Sequence, residues 1–296
     1  MNEQKETYTD GYFTGERALY GKRGVRVENS VFDDGESPLK ESSDIELSYC
    51  LFRWKYPLWY CERVRAENCT WFENARAGMW YTRDIFIKNS SIEAPKEFRR
   101  CDGVTLENVV FHNAAETLWN CSRVTLKDVT VTGGTYFGMN CRDIDIERLT
   151  LDGNYSFDGA ENVVIRNSRL LTKDAFWNGS NVTVRDSFIS GEYLGWNSKN
   201  LTLINCTVES LQGMCYIDGL KMINCRLINT TLAFENSNIE VTLQGKADSV
   251  FNPKSGTLEA DIIGELIMEK DKVDPSKTLI KCRDIVRRSE RPEWIK

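Results

Sequence analysis

Apolar residues recur along this chain in a short alternating pattern, Val-x-Leu-x-Asn-x-x-Phe, that restarts every nineteen to twenty-one residues. Aligned on its first apolar residue, the pattern begins at Val25, Ile45, Val64, Ile85, Val104, Val124, Ile144, Val163, Val182, Leu201, Leu220 and Ile239. Within one copy, Val124-Thr-Leu-Lys-Asp128-Val-Thr-Val131, Val124 and Leu126 alternate with polar neighbours, the period of a half-buried strand. A second short strand follows the Asp. A repeat this short has no room for two helices, but it holds two or three short strands joined by tight turns, one rung of a coiled β-solenoid. Parallel crossovers are overwhelmingly right-handed. The pattern therefore predicts an all-β fold, a single-stranded right-handed parallel β-helix of eleven to twelve rungs with three parallel sheets.

The position between the first two strands reads Asn29, Tyr49, Asn68, Asn89, Asn108, Asp128, Arg148, Asn167, Asp186, Asn205 and Asn224. Nine of the eleven are Asn or Asp, the non-glycine residues that best tolerate a left-handed backbone. Stacked at strand spacing, such amides are expected to hydrogen-bond along the column. Small residues at Ala75, Ala94, Ala114, Gly134, Gly153 and Gly191 turn the chain into a third strand. Residues 1–24 are expected as an N-terminal cap, 25–245 as the helix and 246–296 as a C-terminal cap, together one domain.

Charge narrows the function classes. Acidic residues outnumber basic ones, 44 to 38, and the two signs are interspersed. A phosphate-tracking surface needs a basic stripe, so no nucleic-acid partner is expected. No apolar run is long enough to span a membrane, and the polar start Met1-Asn-Glu-Gln-Lys-Glu lacks the pattern of a secretory signal, which points to the cytoplasm. Of the ten cysteines, Cys50, Cys69, Cys206 and Cys225 follow the turn position, and Cys61, Cys101, Cys121 and Cys141 precede repeat starts by three residues. They read as small, buried, reduced stacking residues. With no C-x-x-C pair and no glycine-rich phosphate loop, neither metal nor cofactor is expected. The single histidine, His112, lies on the second strand and argues against a histidine-dependent nucleophile.

The third strand carries the candidate chemistry. Leu58, Met79, Phe98, Leu118, Gly138, Phe157, Phe176, Gly195 and Met214 form an inward column, so alternation sends Trp59, Trp80, Arg99, Trp119, Met139, Asp158, Trp177 and Trp196 outward. A row of indoles suits sugar rings, whose C–H faces pack on aromatic planes; it equally suits a protein interface or a strip covered by the C-terminal tail. The expected substrate contacts are Trp59, Trp80, Trp119, Trp177, Trp196, Lys173 and Glu116. Asp158 is the expected acid/base or electrostatic centre and Arg99 a carboxylate or hydroxyl clamp, with Asp174 and Glu192 as further carboxylates.

The segments Gly35-Glu-Ser-Pro-Leu-Lys40, Lys55-Tyr-Pro-Leu-Trp-Tyr60, Glu116-Thr-Leu-Trp-Asn-Cys121, Tyr155-Ser-Phe-Asp-Gly159, Lys173-Asp-Ala-Phe-Trp-Asn178 and Gly191-Glu-Tyr-Leu-Gly-Trp-Asn197 resemble a bacterial family of β-helix proteins classed as a domain of unknown function. That family lies within the pectin-lyase-like superfamily, whose repeat resembles Asn181 to Ile189. The resemblance implies the fold. The wider superfamily often binds acidic polysaccharide and cleaves it by hydrolysis or elimination. This chain lacks the Gly-His-Gly of polygalacturonases and the Arg-Pro-Lys of pectate lyases. The expectation is a carbohydrate-binding protein with an oligosaccharide or polysaccharide partner and, if it is an enzyme, a glycoside hydrolase or polysaccharide lyase-like activity. The alternative is a structural protein whose Trp row forms a homodimer interface.

Overall fold

The repeat starts stack on one another. A computed structural model of the protein describes residues 5–291, which fall into two units, Met1–Gly153 and Asn154–Lys296. The outermost parts of the expected caps, residues 1–4 and 292–296, lie outside the described residues. In the first unit the strands Glu6–Thr9, Arg23–Glu28, Ser43–Ser48, Glu62–Glu67, Arg83–Ile92, Asp102–Phe111, Ser122–Thr135 and Arg142–Asn154 form the first side. Pairing is parallel and in register: Val25 opposes Ile45, then Val64, Ile85, Val104 and Val124 follow in turn. In the second unit Val163, Val182, Leu201, Leu220 and Ile239 stack the same way. The fold is an all-β parallel solenoid.

This side has fifteen strands, eight in the first unit and seven in the second, against eleven or twelve expected rungs. The additional ones lie at the ends: Glu6 opposes Val25, Gly256 opposes Ile239 and Thr278 opposes Gly256. Backbone ladder bonds are indifferent to side chain, so these turns pair without the apolar-Asn signature. Among the described residues there is no α-helix, only the 3₁₀ turns Glu73–Ala75 and Pro275–Lys277. No helix there is long and apolar enough to cross a membrane.

Each rung bends where a non-glycine residue takes positive φ, for example Asn68 at 55°, Asn108 at 52° and Asn205 at 54°. The amides then bond along the column: Asn108 donates to Asn89 at 2.9 Å, and Asn224 donates to Asn205 at 2.8 Å. A second amide column, unannounced by the repeat, joins Asn200, Asn181 and Asn162 at 3.0 and 3.1 Å. The interior stacks with the same period. Phe13, Phe32, Phe52 and Trp71 overlap at centroid spacings of 4.9, 4.9 and 5.0 Å.

The cysteines are free, and nine of the ten are buried. Those before the first side do more than fill space. The thiols of Cys61, Cys121 and Cys141 donate to the carbonyls of Leu39, Phe98 and Leu118 on the preceding rung, at 3.1, 3.2 and 2.9 Å. Ser42 and Ser237 make the same bond to Leu19 and Met214. Ser, Thr and Cys interchange here because each offers a short donor to a carbonyl of the preceding rung.

Candidate functional site

The third side is where structure adds most to the repeat. Positive-φ residues punctuate it, among them Tyr56, Tyr60, Lys96, Phe98, Glu116 and Leu118 in the first unit. Continuous strands cannot form through such corners, so isolated parallel bridges such as Trp80 to Arg99 and Arg99 to Trp119 hold it. The alternation nevertheless survives. Leu58, Met79, Phe98 and Leu118 are buried, while Trp59, Trp80, Arg99, Trp119 and Met139 are half-buried.

In the first unit these outward residues form a closed stack. Trp59 and Trp80 lie 5.2 Å apart and 7° from coplanar. The Arg99 guanidinium sits 4.5 Å from the Trp80 ring and 4.6 Å from the Trp119 ring, so it replaces one indole in the pile. Arg99 also donates to Glu116 at 3.3 Å, a carboxylate it shares with Lys96. The indole N–H groups of Trp59, Trp80 and Trp119 donate to the carbonyls of Ala77, Lys96 and Tyr136. The ring faces cover each other and the three indole N–H groups are satisfied, while Arg99 Nε is buried without a partner. Arg99 and Glu116 therefore partner one another.

A residue missed from sequence lies just beneath. Glu97 is fully buried beside Phe98. On this side Leu39 and Leu58 donate to the following rung, at Pro57 and Gly78, whereas Leu118 and Gly138 donate to the preceding one, at Glu97 and Thr117. Where the direction reverses, the N–H groups of Gly78 and Met79 lack a ladder carbonyl, and the Glu97 carboxyl accepts from both, at 2.8 Å from Gly78. A Cβ on Gly78 would approach Glu97 Oε2 to 2.5 Å, so any side chain there displaces the carboxyl. Burial pushes this carboxyl well above the usual range, and its Oε1 has no partner. The only sequence signal was a charge in a column otherwise filled by Gly78 and Thr117.

The second unit repeats the geometry with different chemistry. Its corresponding row runs Asp158, Trp177, Trp196, the buried Cys215 and Glu235, set by ladder bonds from Gly159 to Trp177, Asn178 to Trp196, Asn197 to Cys215 and Tyr216 to Glu235. Trp177 and Trp196 stack loosely, at 5.9 Å and 30°. Tyr216 tilts over Trp196 at 4.7 Å, and Tyr193 meets it edge-on at 5.5 Å. No described residue accepts a hydrogen bond from the indole of Trp177 or Trp196. Asp174 is only 6% exposed, yet no described side chain or backbone group donates to its carboxylate. Burial raises its pKa, reinforced by Glu192 and Asp158 and opposed by Lys173. Burial likewise raises Asp158, whose one donor is Asn178 at 3.4 Å. Lys173 is engaged by Glu192 at 3.1 Å. Burial and Glu235 push Tyr216 up to about 12.

The predicted site residues thus separate. Trp59, Trp80, Arg99, Glu116 and Trp119 belong to the first unit, and Asp158, Lys173, Asp174, Trp177, Glu192 and Trp196 to the second. Among the described residues no three His, Cys, Asp or Glu side chains converge as a metal site would require.

Solved structures of low identity match over most of the chain. A surface adhesin of Streptococcus pneumoniae, PfbA, is 11% identical over 95% of this chain and 84% of its own, with a TM-score of 0.49. The A-module of the mannuronan C-5 epimerase AlgE4 of Azotobacter vinelandii is 11% identical over 93% and 88%, with a TM-score of 0.29. A double mutant of the periplasmic alginate epimerase AlgG is 9% identical over 95% and 84%, with a TM-score of 0.33. Likeness of this degree decides neither substrate nor activity. No curated protein is similar enough in sequence to count as a relative. The family described as Protein of unknown function (DUF3737) matches residues 6–281, nearly the whole chain, and the chain belongs to that family.

Proposed function

We propose that this protein binds carbohydrate on the third side of its second unit, across Trp177 and Trp196. One contrast carries the reading. The three outward indoles of the first unit give their N–H groups to backbone carbonyls, whereas Trp177 and Trp196 keep theirs free on a side that also carries Asp174, a largely buried residue whose carboxylate has no donor. Unsatisfied donors and acceptors beside half-buried aromatic surface suit a ligand that offers hydroxyls and C–H faces together. Tyr193 and Tyr216 extend the aromatic surface.

A hydrolytic role is the second reading. Asp158 and Asp174 lie on successive rungs, and burial holds both above the ordinary carboxylate value, as a general acid requires. Glu192 would serve as a further carboxylate.

Titration of intrinsic fluorescence with neutral, acidic and amino-sugar tetramers tests the binding reading. A saturable change is expected, lost in Trp177→Ala and Trp196→Ala and retained in Trp80→Ala. A flat response to every sugar overturns it. A stable species of twice 34.0 kDa that dissociates in Trp177→Ala would replace it with the homodimer interface.

A further inference from the structure

The charges around the Trp177–Trp196 surface are lopsided. Asp158 and Glu235 stand at the two ends of the row, and Asp174 and Glu192 flank it on the adjoining corner. Lys173 is the cation among the charged residues of that cluster, and Glu192 already holds it at 3.1 Å. Glu235 accepts from the Tyr216 hydroxyl at 3.1 Å. Asp158 and Asp174 have no cationic partner among the described residues, and Asp174 is 6% exposed with no donor at all.

The Asp174 carboxylate keeps some contact with solvent but has no donor of its own, and a partly desolvated carboxylate is stabilised when a cation or a strong donor arrives. A uronate polymer would bring more negative charge to a surface that already carries an excess of it. A neutral sugar would offer hydroxyl donors without relieving that excess. A sugar bearing a free ammonium group offers both a charge of the right sign and three donors.

Taking the carbohydrate reading as its basis, we infer that the ligand class is cationic amino sugar, an oligomer with unacylated amino groups seated against Asp174 and Asp158 while its rings pack along Trp177 and Trp196. Rungs at about 4.8 Å separate successive outward residues, so Asp158, Trp177 and Trp196 offer contacts to consecutive rings.

The experiment compares tetramers of glucosamine, N-acetylglucosamine and galacturonic acid by calorimetric titration of the full chain at low and moderate salt. The glucosamine tetramer should bind at least about tenfold more tightly than its acetylated counterpart, the ratio expected of one charge-assisted contact. Its affinity should weaken as salt rises. Asp174→Asn and Asp158→Asn should each lower glucosamine affinity more than acetylated-tetramer affinity and so narrow the ratio between the two, with a retained unfolding transition showing that the variants fold. Tighter binding of the acetylated or galacturonic tetramer, or equal binding of all three, overturns the ligand class and leaves the carbohydrate reading standing. An equal loss of affinity for the acetylated and free tetramers in the Asp variants also overturns the ammonium contact. Absence of binding by all three defeats both.

Discussion

Glu97 shows how one side chain completes a backbone. It supplies acceptors where the third-side ladder changes direction, and the Cβ-less Gly78 leaves room for it. Glu97→Leu strands two buried N–H groups and should cost about 2–5 kcal/mol, whereas Glu97→Gln keeps an acceptor and should cost less than half of that. Gly78→Ala should destabilise by about 1–3 kcal/mol through the Cβ contact with Oε2. Urea unfolding measures all three. The folded protein holds the Glu97 proton at pH values where the unfolded chain has released it, because burial raises the folded pKa. This group's contribution is therefore greatest below the ordinary carboxylate value and falls as pH rises through the window up to the raised one. In Glu97→Gln that part of the pH dependence should vanish; an unchanged slope between wild type and variant would contradict the assignment. Nothing in the sequence marks Glu97 as structural, since the reversal it repairs is a property of peptide orientation.

The stacked columns behave as elements. Asn205 takes φ of 54°, accepts from Asn224 at 2.8 Å and donates to Asp186 at 2.9 Å. Asn205→Ala loses both bonds and strains the corner, and should cost about 1–2 kcal/mol by the same unfolding assay. The Asn column was readable because its residue type is dictated by the corner it occupies. Outward positions such as Trp80 and Trp177 were readable from alternation, which persists although the third side has few regular strand pairs. Ring orientation was not. Whether an indole N–H meets a carbonyl, as at Trp119, or meets none, as at Trp196, depends on the neighbouring rung rather than on the motif. The thiol columns carry a further expectation. Nine buried cysteines should resist a thiol reagent in the native protein, leaving Cys282, the one partly exposed, to react; prompt labelling of Cys101, Cys121 or Cys141 would contradict their burial.

Across the molecule, a period of about twenty residues gives rungs that repeat one backbone and differ in what they present outward. The interior columns do not distinguish the two units: Val25 to Val124 and Val163 to Ile239 stack alike. Their third sides do differ. The first presents a closed pile of Trp59, Trp80, Arg99 and Trp119, the second a loosely stacked pair of indoles flanked by Tyr193 and Tyr216 among carboxylates. Sequence placed these residues in one outward register because alternation treats every rung alike. It did not distinguish the pile from the pair, which rests on Arg99 filling the space between two rings. The most direct test follows the indole N–H resonances of ¹⁵N-tryptophan-labelled protein, assigned by single substitutions, during titration with the glucosamine tetramer. The account predicts saturable shifts at Trp177 and Trp196 with little change at Trp59, Trp80 and Trp119. Shifts confined to those three, or no shift at any indole, would contradict it.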